Sequence, residues 1–381
     1  MTGPYIQLYL SRLGAMPEDL SLVQSLQQYG NALSRVVGGY FTDRHGRKKI
    51  IWVGTMLVSA TYLLMALVSD WRLYAVISSV NSFSLFYQPA LESIRADSVA
   101  LDARGRIYAF IQFLSGLTSS LAPLGGAAVV NALGLVDGVR LGFILSGLVG
   151  FAIAVARLKY LEETLPSNNA EGFLEAYREA LKLIKSSIAS MLVVDVLLNL
   201  VGAMTFLDNY YMFYYLGVDK TALGVLATVG GLTGLLFTLP AGFVVDKYGR
   251  GLALTWGYIL GTLNLLIFVL TPPKTRATLP LLLLSAVIGS IGGPLYGLAH
   301  DSLRADLVPK EYRGRVFALL GIPPAIAWSA GAMIGGWMYS ALGPQIPFIA
   351  SLALRILLAP LLIALFKDMT RLIDEQLRDN G

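Results

Sequence analysis

The chain has 381 residues, 55% of them apolar and 14% charged, with a mean hydropathy of +0.64 and a net charge of +5. A soluble domain carries about 25% charged residues, so charge is too scarce here to coat a water-facing surface of this size. With no cysteine and two histidines, disulfides and thiolate metal sites are excluded, and little material remains for a catalytic pair or a metal cluster.

The apolar residues gather into long runs, such as Ile50 to Val68 and Leu279 to Leu298. A helix of about 20 apolar residues crosses ~30 Å of hydrocarbon. Alternating period-2 segments are absent, and helices satisfy their own backbone in lipid. The expected fold is therefore an all-α polytopic membrane protein. The chain opens with Met1 to Leu13, apolar through Tyr5, Ile6, Leu8, Tyr9 and Leu10, but rising only about 20 Å as a helix. Spans are predicted at 20–42, 50–69, 72–94, 105–133, 139–160, 187–216, 219–245, 251–271, 278–302, 314–341 and 346–366. Residues 1–160 form a first bundle, 161–186 a linker, and 187–381 a second bundle with a short tail.

The linker opens with Glu162, Glu163, Pro166 and Ser167, then sets Phe173, Tyr177, Leu181 and Ile184 at helical spacing. This pattern predicts an interfacial amphipathic helix. Charge orients the bundle. With the Asp43–Lys49 loop in the cytoplasm, 21 Lys and Arg fall on the inner side and 6 on the outer, leaving Arg35 and Arg355 inside spans. The positive-inside rule fits one orientation. It places the linker and C-terminus in the cytoplasm and makes the basic excess a topology signal; no nucleic-acid partner is expected.

The chain repeats itself. Ala90-Leu-Glu92-Ser-Ile-Arg95-Ala-Asp97 recurs as Ala299-His-Asp301-Ser-Leu-Arg304-Ala-Asp306, at an offset of 209. Gly39-Tyr-Phe-Thr-Asp43-Arg44-His-Gly46-Arg47 matches Gly242-Phe-Val-Val-Asp246-Lys-Tyr-Gly249-Arg250, at an offset of 203. Parallel repeats of this kind place a substrate site between the two halves. By the same offset Met1 falls opposite Met204, within a helix that begins near Ser187, so about 17 further residues of the first helix are expected upstream.

The Gly-x-x-x-Asp-[Arg/Lys]-x-Gly-Arg motif, present twice between consecutive spans, resembles the signature of the major facilitator superfamily. The resemblance covers the whole chain and implies two six-helix bundles in pseudo-two-fold repeat, with the first helix truncated, a central cavity and alternating access. It also implies a charge latch at the inner gate. Here the latch would comprise Gly39, Asp43, Arg44, Gly46, Arg47, Glu92, Arg95 and Asp97, mirrored by Gly242, Asp246, Gly249, Arg250, Asp301, Arg304 and Asp306. The stretch Ala122-Pro123-Leu124-Gly125-Gly126 looks like a degraded form of a motif of the family's exporters. The arginine common in the fourth helix of proton-coupled exporters has no match here; Ser78, Ser79 and Asn81 lie near that depth.

Polar side chains inside spans are costly and mark candidate function. Gln24, Gln28, Asn31 and Arg35 share one helix face, as do Asn81, Gln88 and Glu92. Asp195 and Asn199 are four apart, Asp208 follows further out, and Gln112 lies in the span at 105–133. The expected substrate and coupling set is thus Arg35, Asp195, Asn31, Gln28, Asn81, Gln88, Asn199, Asp208 and Gln112. Asp195 is the expected coupling acid, with Arg35 as its counter-ion or the substrate's anchor. Tyr210, Tyr211, Tyr214 and Tyr215 are read as an interfacial belt, His300 as a gate residue beside Asp301, and the pairs Gly230/Gly234 and Gly331/Gly335 as packing devices.

No phosphate-binding loop is present, so the chain itself does not couple to ATP. The expectation is secondary active transport of a small solute by a monomer in the plasma membrane, coupled to protons and directed outward. No catalytic activity, metal or cofactor is expected. Facilitated uniport or import of a sugar or organic acid, and a non-transporting receptor or sensor, are the alternatives.

Overall fold

The computed structural model describes residues 2–98, 104–163, 186–307 and 313–379, and these contain no strand. A 3-10 turn, Gly3–Tyr5, leads into α1 (Ile6–Arg12), α2 (Pro17–His45), α3 (Arg47–Leu67) and α4 (Trp71–Phe83). A second 3-10 turn, Ser84–Tyr87, joins α4 to α5 (Gln88–Ser98), followed by α6 (Arg104–Leu133) and α7 (Leu135–Tyr160). The second half holds α8 (Ser186–Ala203), α9 (Asp208–Tyr214), α10 (Lys220–Tyr248), α11 (Arg250–Leu270), α12 (Thr278–Leu307), α13 (Arg313–Leu320), α14 (Ile322–Ala341) and α15 (Ile346–Asp379).

Eight of the described helices are long and apolar enough to cross a membrane, and they coincide with eight of the predicted spans. The other three, at 20–42, 72–94 and 314–341, are helical but fall outside that set. α2 carries too many polar residues, α4 and α5 are divided by the 3-10 turn, and the chain breaks between α13 and α14 at Gly321.

Helix ends follow local chemistry. Pro17 opens α2, and Asp19 accepts a hydrogen bond from the Met16 N–H at 2.8 Å. Asp219 caps α10 by accepting from the Ala222 N–H at 2.7 Å. At the two motif turns Gly46 (φ 81°) and Gly249 (φ 89°) stand between consecutive helices. Both repeats thus use glycine where the left-handed backbone excludes a Cβ.

Within the second half, α8 and α14 approach closely through glycine. A Cβ on Gly331 would lie 2.0 Å from the Leu200 carbonyl oxygen, and one on Gly335 would lie 2.2 Å from that of Met204. Gly230 and Gly234 instead face Ser290 of α12.

Two seams join the halves. Along α6 and α10, Gly116 faces Leu235, Ser120 faces Gly231, and Ala127 faces Gly224. Along α2 and α14, Gly336 lies against Ser21, and Ser25 and Ser329 exchange hydrogen bonds: Ser25 Oγ donates to the Ser329 carbonyl at 3.1 Å and Ser329 Oγ to the Ser25 carbonyl at 3.4 Å.

At the face away from the motif turns, an aromatic core closes the molecule. Tyr9, Tyr74 and Phe143 pack edge to face or tilted, and Tyr211 packs on Phe268 and Phe348. The predicted tyrosine belt is corrected here: Tyr211 is 1% exposed, a core residue, while Tyr214 is exposed.

The predicted span at 187–216 is two helices, because the helix is interrupted between Ala203 and Asp208. Thr205 Oγ1 donates to the Gly202 carbonyl at 2.8 Å. Gln7 of α1 satisfies two more groups: its Nε2 donates to the Phe206 carbonyl at 2.6 Å and its Oε1 accepts from the Tyr210 N–H at 2.9 Å. An amide supplies both a donor and an acceptor, so one side chain spans the break.

Candidate functional site

Between the halves lies a cavity of about 220 Å³, on the motif-turn side of the Ser25–Ser329 contact. α2 contributes Gln28, Asn31 and Arg35; α8 contributes Asp195 and Asn199; α12 contributes His300 and Arg304. The start of α14 completes the wall with Pro324 and Ala325. The helical spacing of Gln28, Asn31 and Arg35 carries all three to one face, and the four-residue spacing does the same for Asp195 and Asn199.

The shortest polar contact in the cavity joins Asp195 Oδ1 and His300 Nε2 at 2.7 Å, with side chains 15% and 12% exposed. The other ring nitrogen, Nδ1, lies 3.7 Å from Asp301 Oδ1, whose side chain is 78% exposed. Tyr296, one turn before His300 on α12, stacks on the imidazole at 5.7 Å between centroids. The ring is therefore fixed on one face by an aromatic and at Nε2 by a carboxylate. A histidine paired with a carboxylate and largely shielded from water can hold and release a proton, and ionisable groups inside a span mark candidate function.

The two arginines differ in setting. Arg35 is exposed to the cavity. Arg304 lies with its guanidinium 4.8 Å from the centre of the Phe317 ring, and its buried Nε has no hydrogen-bond partner among the described residues. Asn199 Nδ2 donates to the Asp195 carbonyl at 2.8 Å, which steadies the turn that carries the acid.

Of the predicted substrate and coupling residues, the cavity brings together Gln28, Asn31, Arg35, Asp195 and Asn199. Four others lie elsewhere. Asn81 turns into its own bundle, donating to Thr61 Oγ1 at 2.6 Å and to the Val58 carbonyl at 3.3 Å. Asp208 opens α9 beyond the helix break and accepts from the Asn209 N–H at 2.7 Å, away from the cavity. Gln88 and Gln112 are exposed outside the cavity lining. His300, read from sequence as a gate residue, is instead the partner of Asp195. Spacing could not reveal that contact, because the two residues are 105 positions apart on different helices.

The latch residues divide by what is described. The side chains of Gly39, Asp43, Arg44, Asp97 and Asp306, and the amphipathic linker segment with Phe173 and Tyr177, lie outside the described residues. Glu92, Arg95 and Asp246 are exposed. At the first motif turn, the carboxylate of Glu163 accepts from the backbone N–H groups of Arg47 at 3.0 Å and Lys48 at 3.0 Å. It thereby caps the start of α3. Gly46 permits that approach: a Cβ there would lie 2.7 Å from Glu163 Oε2.

Two similar helical bundles around a polar cavity, with apolar helices long enough to span a membrane, define a multi-span membrane transporter. The chain belongs to the Major Facilitator Superfamily, whose family model matches residues 1–206 and again 191–378. It is similar to an uncharacterized MFS-type transporter, YhjO, of Bacillus subtilis, 24% identical over 92% of this chain and 85% of that protein. It is also similar to a Na(+), Li(+), K(+)/H(+) antiporter of Planococcus maritimus, at 23% identity over 90% of this chain and 88% of that one. Macrolide efflux protein A of Streptococcus pyogenes is 20% identical over 84% and 80%. Among solved structures, a peptide transporter POT superposes with a TM-score of 0.77 at 16% identity, covering 97% of this chain and 90% of that one. At that identity the likeness is one of fold.

Proposed function

We propose that this transporter moves a small solute by alternating access and couples the movement to protons through Asp195 and His300. The observation that carries the reading is the 2.7 Å contact between the two inside the inter-bundle cavity. A proton taken up there makes the pair an imidazolium and a carboxylate; when it is lost, a lone charge stays in a partly dry site. The two states therefore differ in charge within the space a solute occupies. With the motif turns in the cytoplasm, as the basic residues suggest, the cavity belongs to an inward-facing state, and the Gln7 and serine contacts close the outer side.

The test is solute accumulation in proteoliposomes under an imposed pH gradient, read together with proton flux. Accumulation that depends on the gradient and is lost in Asp195→Asn supports the coupling; accumulation unaffected by the gradient defeats it.

A second reading, export in exchange for protons, is favoured by the names of two relatives, an efflux protein and a cation/proton antiporter. It requires solute and proton to compete for one site. In the same vesicles it predicts proton movement opposite to solute movement.

A further inference from the structure

We propose that the solute is a compact organic anion, carrying a carboxylate or phosphate, that bridges Arg35 and Arg304 and travels in the same direction as the proton. The inference deepens the coupling reading above and rests on it.

The cavity holds two guanidinium groups from opposite halves, Arg35 on α2 and Arg304 on α12. The carboxylate in its lining, Asp195, is already engaged by His300 at 2.7 Å. Arg304 Nε is buried without an acceptor among the described residues, and the ring beneath it is the uncharged Phe317. A buried N–H without an acceptor is costly, and a guanidinium presents its donors in a fork that suits carboxylate and phosphate. An anion reaching both arginines would tie the halves together across the cavity, as a solute that drives closure must.

The groups that face His300 set the sign of the coupling. They are Asp195 from α8, Tyr296, Asp301 and Arg304 from its own helix, and Arg35 from α2; the lining from α13 and α14 adds Leu320, Gly321, Pro324 and Ala325, none of which titrates. Asp301 is largely exposed, where solvent screens it. With neutral His300, the two arginines and Asp195 leave one net positive charge in the lining; with imidazolium they leave two. Proton binding therefore strengthens anion binding, and by linkage the anion strengthens proton binding to the same degree. Two ligands that help each other bind move together. A cation would be opposed by both arginines, so the export reading needs a charge pattern opposite to the one present. A volume of about 220 Å³ also lies below the roughly 300–1,000 Å³ of sites for drug-sized ligands.

The absence of cysteine gives a test that needs no knowledge of the solute. Ala325→Cys on α14 and Ala32→Cys on α2 each place one thiol in the cavity wall. In the full-length protein in liposomes, each is modified with two methanethiosulfonates, the anionic sulfonatoethyl and the cationic trimethylammonioethyl reagent. The same thiolate attacks both reagents and displaces methanesulfinate, so the ratio of their rates, each taken relative to its rate with a free thiol in solution, cancels thiol ionisation and intrinsic reactivity. The expected ratio favours the anionic reagent by about tenfold or more, falls toward unity in Arg35→Gln combined with Arg304→Gln, and rises on acidification unless His300 is replaced by Gln. Equal rates, or a preference for the cation, at both positions would overturn the anion assignment. An anion preference that does not grow on acidification would overturn the co-transport step and the coupling role of the pair, and leave the anion site standing.

Discussion

Asp195 of α8 and His300 of α12 meet at 2.7 Å in the space between two repeats, although 105 residues separate them. Each is held from behind: Asn199 Nδ2 bonds the Asp195 carbonyl, and Tyr296 stacks on the imidazole.

Asp195→Asn keeps the size of the side chain and removes the charge. Accumulation driven by a pH gradient should be abolished, while counterflow exchange of preloaded solute stays measurable. Uphill transport at the wild-type rate under the same gradient would show that the residue only bridges helices.

His300→Gln keeps a hydrogen-bond donor for Asp195 but cannot be protonated. Transport should lose the pH dependence that protonation of His300 carries. An unchanged pH profile would assign the proton to another group.

Gly335→Ala pushes a methyl group into the Met204 backbone, where the Cβ would sit 2.2 Å from the carbonyl oxygen. Overpacking of this kind costs about 1–3 kcal/mol, and thermal unfolding should fall by several degrees. Gly297→Ala on α12 is the control, because nothing lies within 4 Å of its Cβ position. Helix propensity there favours alanine by about 1 kcal/mol, so its melting temperature should hold or rise. Equal losses for both would remove the packing argument.

Glu163→Ala removes the acceptor for the Arg47 and Lys48 N–H groups at the start of α3. Amide hydrogen exchange in the first turn of α3 should speed up, with the rest of that helix unaffected. Gly46→Ala should do the same by a different route, since the residue has φ 81° and its Cβ would displace Glu163. Unchanged exchange in both variants would make the cap irrelevant.

Much of this was legible in the sequence because helices impose a period. Gln28, Asn31 and Arg35 were readable as one face from their spacing, and Asp195 with Asn199 likewise; the cavity contains all five. The motif glycines were readable because a left-handed turn between two helices has few other solutions. What spacing cannot give is which neighbour a face meets. Asn81 obeys the same rule as Asn31, yet its helix turns it onto Thr61 of α3. Tyr211 has the composition of a belt residue, and only the packing of Phe268 and Phe348 makes it core. The unwinding after Ala203 leaves no proline in the sequence to mark it; its cause is tertiary, the amide of Gln7.

That amide has a mechanical consequence. Gln7 belongs by chain order to the first repeat, but its two hydrogen bonds are to the backbone of the second. Ser11 adds a contact to Tyr214 at 3.3 Å, and the Tyr5 hydroxyl donates to the Lys220 carbonyl at 3.1 Å. α1 is therefore tied to both halves, since Tyr9 packs on Tyr74 and Phe143 of the first. Any separation of the two halves on that face would have to break either these bonds of Gln7 and Ser11 or the packing of Tyr9, so one short helix acts as a clasp between them.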